Sequence, residues 1–165
     1  MQLQEAKDKF VQAWGNFGSN WGINRTMAQV HALLLVSPKA LSADDIMESL
    51  DISRGNANMN IRALIDWGLV YKENKNGERR EYFYAEKDTW TVIRQIIIHR
   101  KKKELEPALN VLEEVQNVDE ESSEKEEFVT IIREIELFSR KADILLEKLI
   151  EAEAEWLMGT FIKMI

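Results

Sequence analysis

Apolar residues recur three and four apart along most of this chain, which marks amphipathic helices, and give way to short β-rich runs in one place. Leu3, Ala6, Phe10, Ala13 and Phe17 outline a first helix that ends in the break at 18–22. Met27, Val30, Leu33 and Leu34 supply the apolar side of a second, Arg25–Val36, closed by Ser37-Pro38 because proline disfavours helix in the residue before it. Ser42 is placed to cap a short third helix, with Asp44 and Asp45 in the first turn, where the helix dipole favours acids, and Ile46, Met47 and Leu50 on its buried side. After the turn Asp51-Ile52-Ser53, a helix capped by Ser53 runs to Trp67 and stops at Gly68, a residue suited to a left-handed C-terminal position. Two short helices joined by a tight turn are what a helix-turn-helix requires.

The β-rich runs are 69–73 and 79–84, separated by Asn74-Lys75-Asn76-Gly77-Glu78, whose Asn-Gly step signals a hairpin. A hairpin directly after the second short helix is a wing. Its tip carries Lys75 and Asn76, and its arms Lys72, Arg79 and Arg80. A lone two-stranded hairpin is marginal in water, so it is expected to pack on the preceding helix.

A helical wheel over 54–66 puts Ala57, Ile61, Leu64 and Ile65 on the core side and Gly55, Asn56, Met59, Arg62 and Asp66 opposite. Asn58 and Asn60 flank the outer face, and Arg54 falls nearer the core side but lies in the first turn. Asparagine is a poor helix former, so three of them within five residues weaken the helix unless they are used. Paired donor and acceptor chemistry suits adenine N6 and N7 in a major groove. Arg62 suits a guanine or a phosphate, Met59 a thymine methyl, and Gly55 a close backbone approach. The alternative is a solvated polar face.

Beyond the wing, 87–116 reads as a helix with Trp90, Ile93, Ile97, Ala108, Leu112 and Val115 inside and a kink or restart at Pro107. Acidic, serine-bearing 117–125 breaks it. Phe128, Ile131, Ile135, Phe138, Ala142, Leu145, Leu149, Ala152 and Trp156 then alternate three and four apart, a stripe that needs a partner surface. A homodimer supplies one; packing within the subunit is the alternative. The predicted fold is therefore mainly α: a winged helix-turn-helix (23–86, its helices and hairpin spanning 42–84) with a small β-hairpin wing, an N-terminal dimerisation helix (1–22) and a C-terminal helical dimerisation region (87–165).

The net charge of −7 seems wrong for a nucleic-acid binder, but its distribution changes the picture. Residues 23–103 hold 14 Lys and Arg against 10 Asp and Glu, whereas 104–165 hold 6 against 17. Excess positive charge sits where phosphates would be met, and the acidic end is repelled from them. The run Arg100-Lys101-Lys102-Lys103 reads as a solvated helix face or as the counterpart of an acidic segment.

Several stretches in order, Trp21-Gly-Ile-Asn-Arg-Thr-Met-Ala, Leu41-Ser-Ala-Asp-Asp-Ile, Ser53-Arg-Gly-Asn-Ala-Asn-Met-Asn-Ile-Arg-Ala-Leu, Trp67-Gly-Leu-Val and Gly77-Glu-Arg-Arg-Glu-Tyr-Phe, resemble the GbsR branch of MarR-type regulators over roughly 10–107. The resemblance implies a homodimer whose terminal helices form the body, recognition helices in successive major grooves of double-stranded DNA, and wings in flanking minor grooves. Ser53, Arg54, Asn56, Asn58, Met59 and Arg62 match the recognition segment, and Arg79 with Arg80 the paired basic residues of the wing. Met59 and Ala63 stand where MarR sequences often carry basic residues, which shifts phosphate contact toward the wing. Some members of the branch respond to choline.

Other chemistry finds little footing. Cysteine is absent, which removes thiol catalysis and disulfides. His31 and His99 have no metal-ligand spacing, and His31 is expected to be a satisfied helix histidine. Neither a phosphate loop nor a nucleophile elbow is present, so no catalytic residue, metal or cofactor is expected. Trp14, Trp21 and Trp90 would form an aromatic cage for a quaternary ammonium effector if they converge; core packing is the ordinary role of such residues. The expected protein is cytoplasmic and not membrane-bound: a DNA-binding repressor-like regulator, or alternatively a winged-helix protein-interaction module without DNA binding.

Overall fold

Polar caps set helix boundaries throughout the computed structural model, which describes residues 1–74, 77 and 79–152. The side chains of Asn24, Ser42, Ser53 and Ser122 accept from the backbone N–H groups of Met27, Asp45, Asn56 and Lys125. Each satisfies a donor that the first helical turn leaves unpaired. The chain forms two compact units, Met1–Val92 and Ile93–Ile165.

The first unit begins with α1 (Leu3–Asn20) and α2 (Arg25–Val36). Of the apolar stripe on α1, Leu3, Ala6 and Phe17 are exposed, and the helix packs on α2 through Val11, Gly15 and Gly18. Small residues win there because the two backbones approach closely. A Cβ on Gly18 would lie 2.5 Å from that of Ala28. Helix α1 also runs through Gly18 to Asn20 rather than breaking at the glycine.

The helix-turn-helix is α3 (Ala43–Leu50) and α4 (Arg54–Asp66). Asp51 takes the left-handed conformation at φ 51° that lets the chain reverse between them. Gly68 closes α4 at φ 70°, a conformation costly for a residue with a Cβ, while Leu69 N donates to the Leu64 carbonyl. Leu34 of α2, Ile46 of α3, and Ile61 and Leu64 of α4 are fully buried, each contributing about 1.5–3 kcal/mol through apolar burial.

The wing is part of a three-stranded antiparallel sheet, ordered β1 (Leu41–Ser42), β3 (Glu81–Ala85), β2 (Val70–Asn74). Strand β1 is too short to leave a pattern in the sequence. It pairs Leu41 with Phe83 and Ser42 with Tyr82, stitching the start of α3 to the wing. Buried Val70, Phe83 and Ala85 seat the sheet on the helices.

Near Pro107 the helix changes its winding without a break. Helix α5 (Thr89–Arg100) passes into a π-helical turn, Lys101–Leu105, and α6 (Glu106–Glu114) follows. Pro107 has no N–H to give Lys103, and its ring crowds that carbonyl, so the wider turn is favoured. The wider turn shifts the phase of the apolar face: Leu109 is buried, while Ala108, expected inside, is exposed. Helix α7 (Ser123–Glu151) packs on α6. There Gln116 donates to Glu136 at 2.5 Å, and Arg140 donates to Glu136 at 2.6 Å. Lys101 meets Asp143 at 3.0 Å and Glu147 at 3.3 Å of α7, so this member of the basic run serves an acidic segment of its own subunit. Trp156 lies outside the described residues.

Candidate nucleic-acid interface

The outward face of α4 and the base of the wing border one cleft of about 410 Å³, lined by Arg54 and Asn58 of α4, Arg79 and Arg80 before β3, Glu81 and Phe83 of β3, and Ala43 and Asp44 of α3. Strand β1 and the buried face of α4 hold these elements in place. Of the residues expected to act together, Arg54, Asn58, Arg79 and Arg80 line this one cleft.

Along α4, Met59 is 57% exposed and Arg62 is open to solvent. Among the described residues, Gly55 has no heavy atom within 4 Å of where a Cβ would stand, so its backbone is open on that side to close approach. Asn56 and Asn58 are half-buried. Asn60, expected to flank the outer face, is buried at 2% exposure. Its Nδ2 donates to the Asn56 carbonyl oxygen at 2.9 Å and to Asn56 Oδ1 at 2.7 Å, and this internal satisfaction is what lets an amide enter the core. Ser53 contributes as the N-cap, its Oγ accepting from Asn56 N at 3.3 Å.

The arginines are organised by a residue that sequence reasoning treated only as a helix-dipole partner. Arg54 donates to Asp44 Oδ1 at 2.6 Å, and Arg80 lies 3.7 Å from Asp44 Oδ2. Arg54, placed nearer the core by the wheel, is more than half exposed and reaches back across the turn to α3. Arg79 and Arg80, expected on the hairpin arm, stand in the connection ahead of β3. Lys72 is held by Glu81 across the strands at 2.7 Å. Lys75 and Asn76 lie outside the described residues.

Neighbouring Asp45 closes the capping box of α3. Ser42 donates to its Oδ2 through both Oγ, at 2.7 Å, and backbone N, at 2.8 Å, and these bonds hold the carboxyl below its ordinary pKa.

The three tryptophans occupy different settings. Trp14 is half-buried and stacks on Phe10 with ring centroids 5.3 Å apart. Trp21 is 71% exposed at the end of α1, and Trp90 is half-buried on α5. His31 is buried, and burial pushes its pKa down to about 4; among the described residues its Nε2 has no hydrogen-bond partner, contrary to the expected satisfied histidine. Among the described residues, no group of three His, Asp or Glu is disposed to hold a metal ion, and no helix is long and apolar enough to cross a membrane.

A tight helix pair, a cationic β-hairpin stitched to it, and an open polar helix face define a winged helix-turn-helix protein. Residues 21–81 match the MarR family. The chain is 21% identical over 114 residues to the HTH-type transcriptional repressor GbsR of Bacillus subtilis (strain 168), covering 69% of this chain and 63% of that protein's length. A solved structure described as a transcriptional regulator superposes with a TM-score of 0.68 at 19% identity, covering 88% of this chain and 95% of the other. The family match runs from the end of α1 to the start of β3, so the likeness to MarR-type regulators lies in the winged helix-turn-helix itself.

Proposed function

We propose that this protein is a cytoplasmic, homodimeric transcription regulator, acting as a repressor, that binds double-stranded DNA sequence-specifically. Helix α4 enters the major groove, where Asn56, Asn58, Met59 and Arg62 meet base edges and Ser53 and Gly55 allow close approach. The wing, with Lys75, Asn76, Arg79 and Arg80, lies on the minor groove or backbone. The cleft shared by Arg54, Asn58, Arg79 and Arg80 carries this reading, because it puts phosphate-binding and base-reading groups on one surface. The segments 1–22 and 87–165 dimerise, supported by the exposed apolar residues Leu3 and Phe17 on α1 and Phe128, Ile131, Ile135, Phe138 and Leu145 on α7. Two-fold symmetry then presents α4 to half-sites about one helical turn apart.

Selection of bound sequences from a random duplex pool tests the reading. A two-fold symmetric site is expected, with Arg79→Ala and Arg80→Ala weakening all sequences and Asn56→Ala relaxing base choice by about 1–3 kcal/mol. No enrichment at low salt would favour the protein-interaction reading. An effector regulates DNA affinity only by favouring one separation of the two recognition helices. Calorimetry with choline tests the Trp14, Trp21 and Trp90 cage, and absence of heat at millimolar ligand removes it.

A further inference from the structure

Asp44 divides its two oxygens between guanidinium groups from two other elements. Oδ1 accepts from Arg54 Nη2 of α4 at 2.6 Å, and Oδ2 lies 3.7 Å from Arg80 Nη2 ahead of β3. All three side chains are well exposed, so the pairs contribute little to holding the fold together. Their consequence is electrostatic. One carboxylate reduces the charge that two arginines offer, at the cleft that Arg79 also lines. It stands in the first turn of α3, where the helix dipole favours an anion. A phosphate entering this cleft needs the same Nη2 donors that Asp44 now engages.

We infer that Asp44 is an internal phosphate surrogate, a counter-anion that occupies Arg54 and Arg80 in the DNA-free protein and is displaced by a backbone phosphate on binding. The inference rests on the DNA-binding reading and adds to it a residue that sets affinity without touching a base. It makes binding weaker than the arginines alone allow, and so more easily reversed.

The test measures binding of a random-sequence duplex and of the selected operator over a salt series, for the wild-type dimer, Asp44→Asn and the control Glu48→Gln. Glu48 is exposed on the same helix and does not line the cleft. Removing a unit charge about 4 Å from the phosphate site is expected to tighten both duplexes by about fivefold at low salt. The plot of log affinity against log salt should steepen by about one. In an Arg54→Gln, Arg80→Gln background, Asp44→Asn should have a smaller effect, because only the direct repulsion between the carboxylate and the phosphate is left to remove. A wild-type protein that binds DNA, with Asp44→Asn weaker or equal to Glu48→Gln, overturns the surrogate role and leaves the DNA reading standing. A wild-type protein that retains no duplex at low salt overturns both.

Discussion

Asn60 reaches back one turn along α4 and donates to both the backbone carbonyl and the side-chain Oδ1 of Asn56. With Oδ1 engaged from inside, Asn56 keeps its NH2 group for an outside partner. A donor of that kind suits purine N7, guanine O6 or thymine O4, whereas closing on adenine N6 and N7 would require Oδ1 to accept as well. Asn60→Ala is expected to lose about 1–2 kcal/mol of stability and to let the Asn56 amide rotate. Base preference at one operator position should relax, although Asn60 is buried away from DNA. Thermal melts with a panel of single-position operator variants check this; a stable variant with unchanged preference would break the link.

Gly55 separates structural from functional demands on the same helix. A methyl group there meets no atom of the described residues within 4 Å and the backbone is not in the left-handed region, so nothing among those residues requires glycine. Gly55→Ala should stabilise the protein by about 0.5–1 kcal/mol, because alanine loses less backbone freedom on folding. If the α4 backbone lies against DNA, the same methyl should weaken operator binding by about tenfold, near the cost of one ill-placed contact. A higher melting temperature with undiminished affinity would remove Gly55 from the interface.

The helix-turn-helix and hairpin were legible because their signals are local: Ser42 and Ser53 before apolar runs, Gly68 after one, Asn-Gly between two. What escaped depends on distance or phase. Asp44 joins Arg54 and Arg80 only once three elements fold together, so in sequence it is simply an acid in a first turn. On α1 the inner face is Val11, Gly15 and Gly18, since close approach of α2 selects small residues over large apolar ones. Pro107 marked the change of winding, but the register beyond it requires knowing that the turn before it is π-helical. Asn60 was placed by wheel angle, and Asn56 as its partner makes its burial tolerable.

His31 gives stability a pH dependence with a definite sign. Buried, and with no partner for Nε2 among the described residues, it has a folded-state pKa lowered by desolvation to about 4, against 6.5 when exposed. Between these values the unfolded chain takes up the proton and the folded one does not, so stability falls as pH drops from about 6.5 toward 4. The full loss approaches about 3 kcal/mol. Denaturant unfolding at pH 7.5 and pH 5 should reveal a difference that His31→Leu largely removes. An equal pH dependence in His31→Leu would assign it to other groups, though not to Asp45. Its depressed pKa acts lower, with cap stability lost as pH falls below about 3.8.

Phe138, at 75% exposure, is the most open of the large apolar side chains on α7, where Phe128, Ile131, Ile135 and Leu145 are also exposed. The opposite work of packing within the subunit falls to Val129 and the polar contacts of Glu136 and Arg140 with α6. If the open stripe meets a second copy, Phe138→Glu removes a buried ring and inserts a charge twice per dimer. At about 1.5–3 kcal/mol for each lost ring, dimerisation should weaken by at least a hundredfold. The subunit itself should keep its fold, with the melting temperature falling only by what association had added, because Phe138 makes so little of its contact inside it. Sedimentation equilibrium at micromolar protein is expected to give the dimer mass for the wild type and the monomer mass for the variant, with operator affinity falling to that of a single half-site. A variant that remains dimeric would move the interface off this face of α7.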